Sequence, residues 1–326
     1  MFKKIADATA RDGAAFELGV IQAPAPEWLD ELSAFYVHKP DMWHWPVEAA
    51  LGGVCQGLDV RFFAARAEGQ IVSALMTAER WGVGLVAHVY TLPAWRGKGL
   101  ASQVLGAVCE DFDRRGGKAL YLGTDYGSSP FRIYQRFGFE PIAPESGKMA
   151  RAREKGLCGA LFAPGPTEVE DVGWRHYPLL NALAATPGRG TRSRLLAGTH
   201  AAEPCGAFEE AFLQVYPDVL GGRVAFKALV VPQRCVAGWA TLAPRYCDGS
   251  EGWLFDLYVH PNFSDRAEGL AASLPEKPEA TYAYVTSENR GNVPLLEGLG
   301  FREDIPPVEW MGNDGKRLEW ARFVKY

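Results

Sequence analysis

The sequence has little that marks an exported, membrane-spanning or metal-stapled protein. Six cysteines (Cys55, Cys109, Cys158, Cys205, Cys235 and Cys247) are scattered through 326 residues with no C-x-x-C pair. That spacing gives no metal-ligand set, and a chain this long without an export signal has little use for a disulfide framework. The cysteines therefore read as reduced packing residues, and no metal is expected. After Met1-Phe2-Lys3-Lys4 the chain turns polar and alanine-rich instead of opening an apolar segment, so no signal peptide is expected. No apolar run approaches the roughly 20 residues needed to span a bilayer. The longest, Gly156 to Pro164, is short and holds two glycines. There is no excess of basic residues either: the net charge is −5, which argues against a general nucleic-acid-binding face but leaves room for a local basic pocket. The expectation is a cytoplasmic monomer or homodimer that binds neither membrane nor nucleic acid.

What is present is an ordinary globular composition, 48% hydrophobic and 22% charged, in a chain longer than one core usually fills. The first half alternates strands and helices. Phe16 to Ile21 suits a strand, and Pro26 to Tyr36 carries Trp28, Leu29, Leu32, Phe35 and Tyr36 at helical spacing. Val60–Ala67 and Ile71–Ala78 form a hairpin about Glu68-Gly69-Gln70, and Trp81–Thr91 is a third strand. A helix begins at Gly99, buries Leu100, Val104, Leu105, Val108 and Phe112, and stops at Gly116-Gly117. Ala119–Thr124 is a strand. A short helix follows, with Ser129 as cap and Pro130 at its first position, ending in Phe137-Gly138-Phe139.

The second half repeats this order. Ser193–Thr199 is a strand candidate, and Phe208, Ala211, Phe212, Val215 and Tyr216 make a helical stripe. Val224–Val231 and Val236–Ala243 form a hairpin in which Val224, Phe226, Ala228, Val236 and Thr241 match Val60, Phe62, Ala64, Val72 and Thr77. Thr286 to Asn289, leading into Leu296-Glu297-Gly298-Leu299-Gly300-Phe301, parallels Thr124 to Gly127, leading into Tyr134-Gln135-Arg136-Phe137-Gly138-Phe139. Agreement in order, hairpin and both ends indicates a duplication. The expected organisation is residues 1–163, a linker over 164–190 that starts at Pro164-Gly165-Pro166 with a connecting helix at Glu168–Ala184, and a second domain over 191–326. The fold class is α/β (α+β), each domain a mixed twisted sheet flanked by helices.

The chemistry concentrates in Arg96-Gly97-Lys98-Gly99-Leu100-Ala101, between a strand and a helix. A helix N-terminus presents unpaired N–H groups and partial positive charge, and glycines let backbone approach an anion without a Cβ in the way. The run is not a P-loop and not G-x-G-x-x-G, since position 102 is Ser.

With these residues the chain resembles the GNAT superfamily of acyl-CoA-dependent N-acyltransferases. That family carries R/Q-x-x-G-x-G/A after its fourth strand, matched by Arg96, Gly99 and Ala101, and later a Tyr followed by Gly-Phe, matched by Tyr134 and Gly138-Phe139. The resemblance covers residues 14–153 and, more weakly, 190–326. It implies that the amides of Gly97, Lys98, Gly99, Leu100 and Ala101, with Arg96, cradle the pyrophosphate of acetyl-CoA. It also implies that Val89, Tyr90 and Thr91 pair with the pantetheine arm as an added strand, with the acyl carbonyl near the Val89–Tyr90 backbone. Tyr134 stands where the family places the acid that protonates the leaving thiolate; its other reading is a core aromatic.

Where the family often places an Asn that contacts pantetheine, this chain has Gly127, which leaves Ser128 or Ser129 as its substitute in cofactor binding. Leu85 and Ala87 stand where a glutamate base is expected, so the base is not identified. His88 reads as a satisfied buried histidine pointing into the helix layer, and Cys109 as packing. Asp125 and Tyr126 sit either near the meeting point of acyl group and acceptor or in a solvated loop. Asp41, Trp43 and Trp45 lie in the segment that walls the acceptor site in this fold, where Trp43 and Trp45 could stack on an acceptor and Asp41 pair with its amine; interdomain packing explains the aromatics equally.

The second copy departs further. Ser264 replaces Arg96, Ala267 replaces Gly99, Leu296 replaces Tyr134, and Asp265 and Glu268 place negative charge where a pyrophosphate would sit. Asn289 survives at the Gly127 position. The reading is an acetyl-CoA-dependent N-acetyltransferase acting on a small amine from its first domain, beside a degenerate copy. The alternatives are a non-catalytic acyl-CoA sensor and an enzyme that acetylates a protein amine.

Overall fold

The computed structural model describes residues 1–154, 156–186, 208–244, 251–286, 293–311 and 317–326. The chain divides into two compact units. Residues 1–160 and 174–185 form the first, and residues 161–173 and 186–326 the second.

The first unit runs β1 (Phe2–Thr9), β2 (Ala15–Gln22), α1 (Leu29–Phe35), α2 (Trp45–Leu51), β3 (Asp59–Ala67), β4 (Gln70–Arg80), β5 (Val83–Thr91), α3 (Leu100–Arg114), β6 (Ala119–Gly123), α4 (Ser129–Arg136), β7 (Glu140–Pro141) and β8 (Lys148–Ala152). Its sheet has the order β1-β2-β3-β4-β5-β6-β8-β7, and only β5 and β6 are parallel neighbours. On one face α3 and α4 bury Val104, Leu105, Val108, Phe112, Phe131 and Tyr134 against Phe63, Leu75, Val86, Leu120 and Leu122. The helical stripe read from the sequence is this buried face.

α5 (Leu157–Leu161) and β9 (Glu168–Asp171) follow, then α6 (Tyr177–Ala184). The expected helix over Glu168–Ala184 is therefore corrected. Its first residues form a strand paired with the second unit's sheet, and only its last turns are helical. Pro178, at the first turn, starts the true helix where its missing N–H costs nothing. α6 packs on β4, β5 and β6, and every residue of it is buried.

The second unit continues with α7 (Phe208–Leu220), β10 (Ala225–Val231), β11 (Cys235–Pro244), β12 (Trp253–Val259), α8 (Ala267–Ala272), β13 (Thr281–Thr286), α9 (Val293–Gly298), β14 (Arg302–Met311) and β15 (Arg317–Lys325). Its sheet order is β14-β15-β13-β12-β11-β10-β9. Read from β9, this repeats β2-β3-β4-β5-β6-β8-β7, including the parallel step, here β12 beside β13. The duplication is thus topological as well as sequential. Phe62 and Phe226, Ala64 and Ala228, and the buried polar pair Thr77 and Thr241 occupy matching core positions. The Ser193–Thr199 strand and the Asn289 turn fall outside the described residues.

A charged cluster ties α3 to β3 and β4. Arg115 donates to Glu79 at 2.7 and 2.8 Å, to Asp111 at 2.7 Å and to Asp59 at 3.3 Å. Arg61 donates to Asp59 and Asp111. Burial pushes the Asp111 carboxyl up, but Arg115, Arg114 and Arg61 more than offset it, and the carboxyl titrates below its ordinary range. Asp59 behaves alike, burial being outweighed by Arg61 and Gln22. A depressed folded-state pKa contributes stability above the unfolded value of about 4 and loses it as pH falls through the folded value. The thermal midpoint should therefore drop between pH 5 and pH 3. Arg115→Ala, which strands the buried Glu79, should cost roughly 3 kcal/mol in urea unfolding at pH 7, the low end for a buried pair because Arg115 reaches solvent.

Candidate active site

Strands β5 and β6 pair at Val83–Ala119, Gly84–Leu120 and Leu85–Tyr121. Beyond Leu85, β5 continues to Thr91 with no strand beside it on that edge among the described residues. On its other edge β5 pairs with β4 through a bulge. Ala87 faces Met76 and Tyr90 faces Ala74, so His88 and Val89 together oppose Leu75. His88 takes the left-handed conformation, φ +55°, a local departure of the kind by which a bulge re-aims side chains. Val89 packs toward the α3–α4 face, while Tyr90 meets Phe35 and His38 on the opposite face. The open edge of β5 thus lies along Val89, Tyr90 and Thr91.

Past Thr91 the chain makes a short 3-10 turn, Pro93–Trp95, and reaches the Gly-rich run. Gly97 has φ +76° and Gly99 φ +92°. Gly99 is the N-cap of α3, with no capping side chain, so the helix starts with its backbone donors uncovered by any side chain of the loop. Arg96 donates from Nε to the Thr91 carbonyl at 3.0 Å, and its guanidinium lies 5.4 Å from the Tyr90 ring centre. Lys98 pairs with Asp12 at 2.8 Å.

The next contributor carries no local sequence signal. Arg11, in the turn between β1 and β2, donates its backbone N–H to the Lys98 carbonyl at 3.0 Å. Its side chain lies across the loop, with Nε 3.3 Å from where a Cβ on Gly99 would stand. β1 itself was invisible in the sequence because nearly all of it is exposed.

Tyr134 is buried on α4, edge-on to Phe139, and burial pushes its phenol up to about 12. It is therefore protonated at neutral pH. The cap of α4 is Ser128, whose Oγ accepts the Phe131 N–H at 3.2 Å. Ser129, expected to cap, is instead the exposed first helical residue, because the preceding serine already holds the extended backbone that a cap requires. Asp125 and Tyr126 are exposed in the β6–α4 loop, and the Asp125 carbonyl accepts the Ser128 N–H.

The three acceptor-wall candidates separate. Trp43 stands edge-on to His88 at 5.9 Å. Trp45 packs on Trp174, from the segment before α6, at 5.5 Å. Asp41 is exposed at the start of a 3-10 turn. Leu85 and Ala87 are buried. Cys109 is a buried thiol pushed up to about 11 by burial, as packing requires. His88 corrects the sequence reading in one respect. It is buried and points to the α1 side, where its ring meets Tyr36 at 5.4 Å, but neither ring nitrogen has a hydrogen-bond partner among the described residues.

The family model of the acetyltransferase (GNAT) family matches residues 25–139, from just before α1 through the Gly-rich run to Phe139. Residues 25–139 are a GNAT-family domain. Solved structures similar to the chain include a GNAT-family N-acetyltransferase from Escherichia coli in complex with CoA (18% identity, 47% of this chain and 87% of that one, TM-score 0.37). They also include the PaiA N-acetyltransferase from Thermoplasma acidophilum in complex with coenzyme A (15% identity, 41% and 98%, TM-score 0.31). No curated protein matches the chain.

Against the GNAT domain, the corresponding loop of the second unit is built differently. Ala267, at the place of Gly99, has helical φ −62°, and the helix it starts, α8, has 6 residues against 15 in α3. The His260 ring stacks on Phe162 at 4.5 Å and accepts the Asn262 N–H, and Asn262 donates to the Phe162 carbonyl at 2.9 Å. Phe162 precedes β9 as Arg11 precedes β2. Where the GNAT domain lays a guanidinium over the loop, the second unit lays an apolar ring. Leu296 is buried at the place of Tyr134.

The left-handed cap is the fragile point of the GNAT domain's loop. Gly99→Ala should cost about 1–2 kcal/mol in urea unfolding, the penalty of placing a Cβ at positive φ, with the contact to Arg11 adding to it.

Proposed function

We propose that the protein is an acetyl-CoA-dependent N-acetyltransferase that acetylates the amine of a small molecule, with its one active site in the GNAT domain. The observation that carries the reading is the join between the open edge of β5 and the N-terminus of α3. An extended pantetheine arm can pair with Val89 to Thr91 as an added strand, and that path delivers its pyrophosphate to the donors of Gly97, Lys98, Gly99, Leu100 and Ala101, flanked by Arg96 and Arg11. The backbone at Val89–Tyr90 then faces the acyl carbonyl, where an N–H would stabilise the developing oxyanion. Tyr134, kept protonated by burial, supplies a proton to the leaving thiolate. Ser129 and Asp125, exposed at the start of α4 and in the loop before it, stay candidates for contacts at the mouth of this path, and Trp43 for the acceptor side. The second unit takes no part in CoA binding on this reading, because its loop combines Asp265 and Glu268 with a covering ring.

The absence of a carboxylate at Leu85 and Ala87 favours a second reading, a non-catalytic acyl-CoA-binding module. Thiol release from acetyl-CoA in the presence of a panel of small amines and of a lysine peptide separates the two, and tells small-molecule from protein acceptors.

Calorimetry should find one equivalent of acetyl-CoA per chain; two equivalents would overturn the assignment of the second unit. Arg96→Ala combined with Gly99→Glu should abolish binding, and unchanged affinity would remove the site from this loop. Arg11→Ala should weaken binding about tenfold, the loss of one charge-assisted contact. Tyr134→Phe should leave acetyl-CoA affinity intact and lower kcat roughly 100-fold.

A further inference from the structure

His88 and Tyr36 form a buried polar pair that no structural role explains. Tyr36 ends α1 with 0% exposure and His88 sits in the β5 bulge with 4%. The Tyr36 hydroxyl and both His88 ring nitrogens lack hydrogen-bond partners among the described residues. Three polar atoms left unsatisfied within two touching rings are costly, and native structures keep such groups where a ligand or a proton transfer uses them. The backbone adds a second cost: His88 is held at φ +55°, a strain that persists at functional sites. The bulge that imposes it also places the imidazole one residue from Val89, where the proposed reading puts the acyl carbonyl. Trp43 borders the pair from the α1–α2 connection, the segment that supplied the acceptor candidates.

We infer that His88 is the group that takes the proton of the attacking amine, with the Tyr36 hydroxyl hydrogen-bonding that amine as it enters beside Trp43. This rests on the N-acetyltransferase reading above and supplies the base that Leu85 and Ala87 cannot. The amine enters uncharged. Its lone pair forms the C–N bond to the acyl carbon, the C–S bond breaks, and the electron pair leaves on sulfur. The surplus proton on nitrogen passes to a ring nitrogen of His88, and Tyr134 protonates the thiolate. His88 then returns its proton to the Tyr134 phenolate through solvent, restoring both groups. Burial holds the His88 imidazole neutral, with a ring lone pair free before the transfer, and the same burial makes the imidazolium a short-lived carrier that passes its proton on.

The test uses the full chain, acetyl-CoA, and a panel of primary amines (2-phenylethylamine, tryptamine, octylamine, spermidine and glycine amide), with thiol release as readout. His88→Gly suits the left-handed backbone, so the strand can form without the ring. It should leave acetyl-CoA affinity unchanged, lower kcat for the best amine at least 100-fold, and regain at least tenfold of that loss on addition of free imidazole, which a structural role would not produce. Tyr36→Phe should raise KM for the amine more than it lowers kcat. Should His88→Gly fail to fold, His88→Asn, also tolerant of positive φ, gives the same kcat comparison. Wild-type turnover retained in the His88 variants, or a loss that imidazole does not restore, overturns the inference. Acetyl-CoA binding by the wild type without thiol release for any amine refutes instead the N-acetyltransferase reading, and failure of the wild type to bind acetyl-CoA refutes that reading together with its site.

Discussion

The first unit depends on a disagreement between two parallel neighbours. β5 and β6 share three register pairs and then part, because β5 runs on toward the Gly-rich loop while β6 turns into α4. In the interior of a sheet an unpaired strand edge is expensive, since each exposed N–H and C=O must find a partner elsewhere. The fold sustains it by strengthening everything around it. β4 holds β5 from the other side, α3 and α4 bury one face, and α1 with α6 covers the other. The bulge at His88–Val89 adjusts the register of β5 against β4, so that the strand continues along the gap instead of closing it. On the function proposed above, an extended ligand would complete this geometry, because it can answer main-chain groups in register.

The duplicated unit shows which parts of this arrangement serve the fold and which serve chemistry. Both units keep the strand order, the parallel step, the hairpin core and the buried threonines Thr77 and Thr241. At the matching positions among the described residues the second has Ala267 for the left-handed glycine, the six-residue α8 for the long helix, the Phe162 ring for the cationic cover and Leu296 for the buried phenol. The retained features are those whose loss would leave cavities or unsatisfied groups in a core. The discarded ones carry a cost when nothing uses them: glycines at positive φ lower stability through the unfolded chain, and an uncapped helix start leaves donors without partners. Replacing Gly99 by its counterpart Ala267, in ordinary helical conformation, removes that cost. Stacking Phe162 on His260 then fills the space.

Much of this was legible in the sequence because it rests on local rules. The hairpins, the amphipathic α3 with Leu100, Val104 and Phe112 inward, and the Gly-rich cap each follow from spacing within a dozen residues. What escaped notice lacked a local signal or turned on a single residue. β1 is nearly all exposed and has no alternation to detect. Glu168–Asp171 holds one apolar residue, so charge and spacing favoured a helix where pairing with β10 makes a strand. Ser128 and Ser129 are equally good caps by composition, and only the backbone decides between them. Arg11 meets the Gly-rich loop from the β1–β2 turn, far from it in sequence. The burial of His88 is legible from its strand, but that its ring nitrogens meet no hydrogen-bond partner among the described residues follows from a bulge, and no periodicity encodes where a strand will slip by one residue.

The pair Lys98–Asp12 bears on how such a loop stays folded before any anion arrives. The start of α3, Arg96, Lys98 and Arg11 concentrate positive potential in a few residues, and that field opposes the loop's own compact form. Asp12 answers Lys98 from the β1–β2 turn, and Lys98 holds its carboxyl below the usual range. The carboxylate thus neutralises one cation from the side, without entering the arc of amides between Gly97 and Ala101. Exposed ion pairs of this kind are weak and screened by salt, so a pyrophosphate, with more charge and several amide donors to meet, can draw Lys98 away at little cost. On the function proposed above, the same turn that donates Arg11 carries both a cation for the pyrophosphate and a carboxylate that stands in for part of its charge. The second unit, with Asp265 and Glu268 within its loop, places its negative charge where the ligand itself would have to be.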